Sequence, residues 1–141
     1  MSREEINRAA VGAQLGRTPR GHWRVARRCT CGLPQVIETD PRLPDGTPFV
    51  TLWWLTCRAL SSAIGRLESG GWMSGFNRRL AENQQLRSSL VLSTQRYLAR
   101  RDAIEPLGRP AHPGGGPDRV KCLHAHTAQH LVTGDNPVGS A

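Results

Sequence analysis

Alternation and helical periodicity divide the chain into a strand-forming first half and a helical second half. Residues 3–15, "REEINRAAVGAQL", place Ile6, Ala9, Ala10 and Ala13 on one helical face, and Ser2 with Glu5 has the pattern of a capping box. "GRTPRG" then breaks the helix, so residues 1–20 read as a helix plus linker. In "HWRVARRC", His22 to Cys29, Trp23, Val25 and Arg27 alternate with Arg24, Ala26 and Arg28, which predicts a strand. A second short strand is expected at Gln35–Thr39. "DPRLPDGTP", Asp40 to Pro48, carries three prolines and an Asp-Gly and reads as a turn-rich loop. "FVTLWWLTC", Phe49 to Cys57, is aromatic and β-branched and is the strongest strand candidate. Adjacent Trp53 and Trp54 must face opposite sides of such a strand.

Helical spacing takes over after Cys57. Leu60, Ile64 and Leu67 form a stripe along Arg58–Ser69, and Gly70–Gly71 stops it. One long helix is expected from about Ser74 to Ile104, through Phe76, Leu80, Leu86, Leu90, Tyr97, Leu98 and Ile104, with Pro106 ending it. Residues 105–118 read as a flexible Pro/Gly loop. Asp118 is the expected N-cap of a last helix over about 119–132, closed by Gly134, and 134–141 is an irregular tail. The pattern predicts a single α+β domain: a short antiparallel sheet in the N-terminal half, with one long helix and a C-terminal helix packed on it.

Composition narrows the setting. A chain of 141 residues suits one core, and 38% hydrophobic with 5% aromatic residues makes that core modest and largely aliphatic. No apolar run approaches the roughly 18–20 residues that cross a bilayer. The start, "MSREEINRAA", carries charges where an export signal needs an apolar stretch, so a soluble, cytoplasmic protein is expected.

Net charge is +8, and Lys121 is the only lysine beside eighteen arginines. GC-rich codon usage accounts for arginine over lysine, but not for the excess of positive charge, which points to an acidic partner. Residues 1–28 hold seven arginines and two acids, and residues 78–101 hold six arginines and one acid. Arg78, Arg79, Arg96, Arg100 and Arg101 are expected to form basic ridges on the long helix, a surface for RNA, DNA or the ribosome. Trp23, Trp53, Trp54, Trp72 and Tyr97 are the aromatics available for base stacking.

Cysteines stand at 29, 31, 57 and 122. A reducing cytosol disfavours disulfides, which leaves metal ligands or inert buried thiols. "DRVKCLHAHTAQH" adds His124, His126 and His130 close to Cys122. In a regular helix Cys122 and His126 share a face at i and i+4, whereas His124 joins Cys122 only if the first turn is distorted or not yet helical. Structural zinc needs four ligands, so Cys29, Cys31 and Cys57, at strand ends or turns, are the other candidates.

"RCTCGLPQVIETDPRLPDGTPFVTLWWLTC", "RLESGG", "YLARRDAIEPLG", "GGGPDRVKCLHAH" and "NPVG" together resemble a largely actinobacterial family known as domain of unknown function family 501. The resemblance spans nearly the whole chain and implies no activity. It marks Cys29, the loop Pro44–Phe49, position 57, Asp118, Arg119, Lys121, Cys122 and His124. It also implies that position 31 varies and that histidine can replace Cys57, an exchange a zinc ligand tolerates. Cys29, Cys57 and Cys122 are therefore the expected ligand core, with either His124 or His126 as the fourth.

A small basic zinc-stabilised module for nucleic acid or a ribonucleoprotein is thus the first expectation. A small enzyme or phosphate-ligand binder is the second. It would use the Gly114–Lys121 loop with Arg119 and Lys121 at a helix start, and Cys122 with a lowered pKa. No oriented base or oxyanion site is identifiable for such an enzyme. A protein–protein adaptor acting through the long helix is the third.

Overall fold

The computed structural model describes residues 2–49, 51–107 and 120–140. Its elements are α1 (Arg3–Leu15), β1 (Trp23–Arg28), β2 (Pro34–Thr39), β3 (Trp53–Leu55), α2 (Arg58–Ser69), α3 (Trp72–Glu82), α4 (Gln84–Ile104) and α5 (Leu123–Thr133). The architecture is α+β. The three strands form one antiparallel sheet in the order β1-β2-β3, in the N-terminal half as the alternation predicts.

Register decides what each face of the sheet carries. Val36 pairs with Leu55 and Glu38 with Trp53 on one face, while Ile37 pairs with Trp54 on the other. The first face holds the main core, where Val36, Leu52, Trp53, Leu55 and Tyr97 pack with Ala128 of α5. Trp53 meets Tyr97 edge-on, with ring centroids 5.1 Å apart, and Trp54 lies against Phe49 on the opposite side. The two adjacent tryptophans thus divide as the strand period requires. The Leu52 N–H donates to the buried Tyr97 hydroxyl, and burial pushes that hydroxyl's pKa up.

The loop before β3 is a tight turn built by its own polar residues. Gly46, at φ +89°, sits in a conformation that suits glycine, and Thr47 N–H donates to Asp45 Oδ1 at 2.9 Å. Hydrogen bonding from Thr47, by its side chain first and its backbone amide second, holds the Asp45 carboxyl below its ordinary value. Asp45 is a turn residue, as its Asp-Gly context suggests.

Two helix boundaries differ from the periodic reading. The single helix expected over 74–104 is two helices, broken at Asn83, whose backbone is extended. The Asn83 side chain accepts from Leu86 N–H at 3.0 Å and so starts α4. Arg87 donates to the carbonyls of Leu80 and Ala81 at 2.6 and 2.7 Å, satisfying the end of α3. Apolar periodicity continues through both helices, so it does not register a break made by polar capping groups.

The last helix begins at Leu123 with Cys122 as its N-cap, not at 119. Val120 is held outside the helix because its backbone N–H and C=O both bond to the Asn77 side chain, at 2.7 and 3.0 Å. Asp118, the expected cap, lies outside the described residues.

The chain end is also more ordered than its irregular sequence implies. Asn136 is buried, donates to Gln129 Oε1 and His126 Nδ1, both at 2.9 Å, and accepts from the Val138 and Gly139 amides. A Cβ on Gly139 would collide with the His126 carbonyl and lie 2.7 Å from His130 Cβ. "NPVG" is therefore a polar clasp closing on α5. Asn136→Ala should cost about 2–4 kcal/mol, because it strands several buried polar groups at once. Gly139→Ala should cost about 1–3 kcal/mol through overpacking. Thermal unfolding should show both as lowered midpoints, and an unchanged midpoint in both would contradict the clasp.

Candidate functional site

The sequence-predicted ligands fall in three places. Cys29 and Cys31 are joined to each other by a disulfide in the β1–β2 turn, with Cα atoms 5.3 Å apart. The turn that connects two antiparallel strands brings i and i+2 sulfurs together, so Cys29 pairs locally and not with Cys57 and Cys122. This corrects the expectation of a coordination sphere built on Cys29, Cys57 and Cys122. Cys57 is a free thiol at the N-cap of α2. Cys122 is a free, half-buried thiol at the N-cap of α5.

Around Cys122 the helix start is unwound, with Cys122 at φ −147° and ψ 114°. His124 therefore comes to the Cys122 side, the exception that a regular helix would not allow. Glu68, Cys122 and His124 offer ligand atoms that all lie within 4.8 Å of one another. The Glu68 carboxylate is the hub: Oε1 accepts from Leu123 N–H at 2.9 Å and lies 2.8 Å from His124 Nδ1. His124 Nε2 is 3.0 Å from the Ser61 carbonyl oxygen. Ser61 and Glu68 both belong to α2, so one imidazole spans two turns of that helix.

The chemistry of this group is specific. A neutral imidazole donates from one nitrogen only, yet both nitrogens of His124 face oxygen acceptors. Either a second proton or a metal cation at Nδ1 satisfies both contacts. Nε2–H would then donate to the Ser61 carbonyl, the outer-shell arrangement that orients a ligating histidine. A thiol adds nothing to an imidazolium–carboxylate pair, but supplies a sulfur donor to a metal set. Glu68, Cys122 and His124 can thus hold a divalent ion with one sulfur, one nitrogen and one oxygen donor.

His126 takes a different role. It is buried, and its Nδ1 receives the Asn136 amide of the clasp. Glu68 is the member that pattern reading did not single out. It had a signal, because an acid in the last turn of a helix opposes the macrodipole, and its nearest helical neighbours, Ile64 and Gly65, offer no cation.

The basic residues also separate. Arg101 is fully buried on the face of α4 that carries Tyr97, so it cannot present its charge to a phosphate; this corrects its placement on a basic ridge. Arg100 reaches the buried Glu38 at 3.3 Å, and Arg24 reaches the same carboxylate at 2.6 Å. Arg96 pairs with Asp135 at 2.6 Å. Among the described residues, exposed Arg78, Arg79 and Lys121 pair with no carboxylate. Arg119 and most of the Gly114–Lys121 loop lie outside the described residues.

Arg79 sits over a buried aromatic that an exposed one adjoins. Its guanidinium lies 5.5 Å from the Phe76 ring centroid, and Trp72, 51% exposed, lies 6.2 Å from the same ring. With Gly70, Gly71 and Gly75 they line an open notch of about 280 Å³ at the α2–α3 corner. Glycines there leave the backbone bare, so a flat group can approach. No helix among the described residues is long and apolar enough to cross a membrane.

No curated protein and no solved structure is detectably similar to this chain. Residues 25–141, which include β2, β3 and most of β1, the Glu68–Cys122–His124 group and the clasp, match the family described as "Protein of unknown function (DUF501)", and the chain belongs to that family.

Proposed function

We propose that this protein is a small zinc-stapled module that binds single-stranded nucleic acid. His124 supports the metal half, with both ring nitrogens on oxygen acceptors beside a free thiol. Donors around tetrahedral zinc lie about 3.3–3.8 Å apart, and modest side-chain rotations bring a group already within 4.8 Å to that spacing. The ion would tie the end of α2 to the start of α5, and because three protein ligands leave one position to water, the site would be open where a purely structural zinc is closed, while its binding would still add to folding stability.

Elemental analysis of untagged protein purified without chelator should find about one zinc per chain. Cys122→Ser, His124→Ala and Glu68→Gln should each lose most of it, while Cys29→Ser and Cys57→Ser keep it. Chelation of the unmutated protein should lower its unfolding midpoint, which keeps the test valid if a variant misfolds. Absence of zinc from the unmutated protein, or its retention in both Cys122→Ser and His124→Ala, would contradict the metal half.

The nucleic-acid half rests on the exposed Trp72, which shares its notch with Arg79, and on the adjacent Arg78 of α3; among the described residues neither arginine pairs with a carboxylate. An indole offers a stacking face to any base, and the two guanidinium groups offer charge to the flanking phosphates. Fluorescence anisotropy with a labelled oligonucleotide should show binding that weakens steeply with salt. Trp72→Ala should weaken it by about 1–3 kcal/mol with little change in salt slope. Arg78→Gln with Arg79→Gln should flatten the slope by about 1.4. Loss of affinity in none of these variants, or preference for an acidic polypeptide over the oligonucleotide, would contradict this half.

A further inference from the structure

The β1–β2 turn carries chemistry that neither the metal group nor the α3 notch uses. Cys29 N–H donates to the Leu33 carbonyl and Gly32 N–H to the Cys29 carbonyl, both at 2.9 Å, so the turn is closed from both sides. Gly32, at φ +89°, completes it. Within this turn the two sulfurs differ. Cys31 belongs to an exposed residue, whereas Cys29 is half-buried and its sulfur accepts the Cys31 N–H at 3.2 Å.

A positive charge is fixed over the same turn. The Arg28 guanidinium donates to Asn7 Oδ1 of α1 at 2.6 Å and to the Gly32 carbonyl at 3.0 Å. A thiolate leaving on Cys29 would therefore meet an amide donor, with a guanidinium held on the same turn, surroundings that favour departure of a thiolate. Leu33, 52% exposed, adjoins the pair and offers an apolar contact to an approaching chain.

We propose that Cys29–Cys31 is a thiol–disulfide exchange site that oxidises thiols and is reoxidised by a low-molecular-weight disulfide. A substrate thiolate attacks the exposed Cys31 sulfur. The new substrate–Cys31 bond forms as the Cys29–Cys31 bond breaks, and its electron pair leaves on Cys29. A second substrate thiolate attacks the substrate sulfur of that mixed disulfide, forming the substrate disulfide and releasing Cys31 as thiolate. The substrate loses two electrons and two protons, and the protein ends as a dithiol. The reverse sequence against the low-molecular-weight disulfide restores the pair.

The full-length protein should be equilibrated in glutathione buffers of graded ratio, alkylated, and read by peptide mass spectrometry. The Cys29/Cys31 peptide should move between dithiol and disulfide across the series. Cys29→Ser, which keeps the exposed sulfur, should form the glutathione mixed disulfide roughly tenfold faster than Cys31→Ser. Arg28→Gln should slow reduction of the intact pair by about threefold or more. A dithiol peptide as substrate separates two sources of thiol. A preference for it over glutathione that is lost in Leu33→Asp assigns protein thiols, and equal rates assign small thiols. Equal trapping in the two serine variants, a pair that stays in one redox state throughout, or a pair that reacts only after chelation would overturn the site.

Discussion

One oxygen of Glu68 fixes the junction on which the candidate site depends. It accepts the Leu123 amide, one of the unpaired donors at the start of α5, and sits against the His124 ring. Neither helix has a side-chain cap of its own at the end concerned: Cys122 caps α5 without a hydrogen bond, and Glu68 supplies the acceptor from α2. The start of the last helix is therefore set by a residue more than fifty positions earlier in sequence. His124 is turned toward Cys122 because that start is late and the residue before it is extended.

Beyond this junction the fold is held by polar groups placed inside an aliphatic frame. Glu38, buried on the inner sheet face, is met by Arg24 across the strand pair and by Arg100 from α4. Tyr97 joins α4 to the backbone just before β3, and Asn136 ties the chain end to α5. A chain with few aromatics gains specificity from such contacts, because each strands a buried polar group if the packing shifts. The same economy explains why much of the arginine excess is not available to a ligand. Arg24, Arg96, Arg100 and Arg101 serve the fold, whereas among the described residues Arg78, Arg79 and Lys121, like the exposed Arg3, Arg17, Arg20, Arg58 and Arg66, pair with no carboxylate.

The strands, the Asp-Gly turn, the opposed tryptophans and the α+β class were legible because each depends on local spacing. The break at Asn83 was hidden because apolar periodicity runs through it, and the ends are satisfied by the Asn83 side chain and by Arg87, which reaches seven residues back to the Leu80 carbonyl. The late start of α5 was hidden because Asp118 looks like a cap locally, while the contacts that hold Val120 and Leu123 come from Asn77 and Glu68. Cys122 and His124 were named from sequence, but their partner was not, since a carboxylate on another helix leaves no spacing rule. The strand-end position of Cys29 and the family resemblance both point it toward the metal; the turn geometry gives it to Cys31 instead.

The sharpest separation lies in the number of sulfurs around the ion. X-ray absorption at the zinc edge of the purified full-length protein should show one sulfur, with the remaining scatterers light nitrogen or oxygen atoms, as a Glu68–Cys122–His124 set requires. A shell of two or more sulfurs would draw Cys57 or the Cys29–Cys31 turn into the centre and contradict the account built on Glu68.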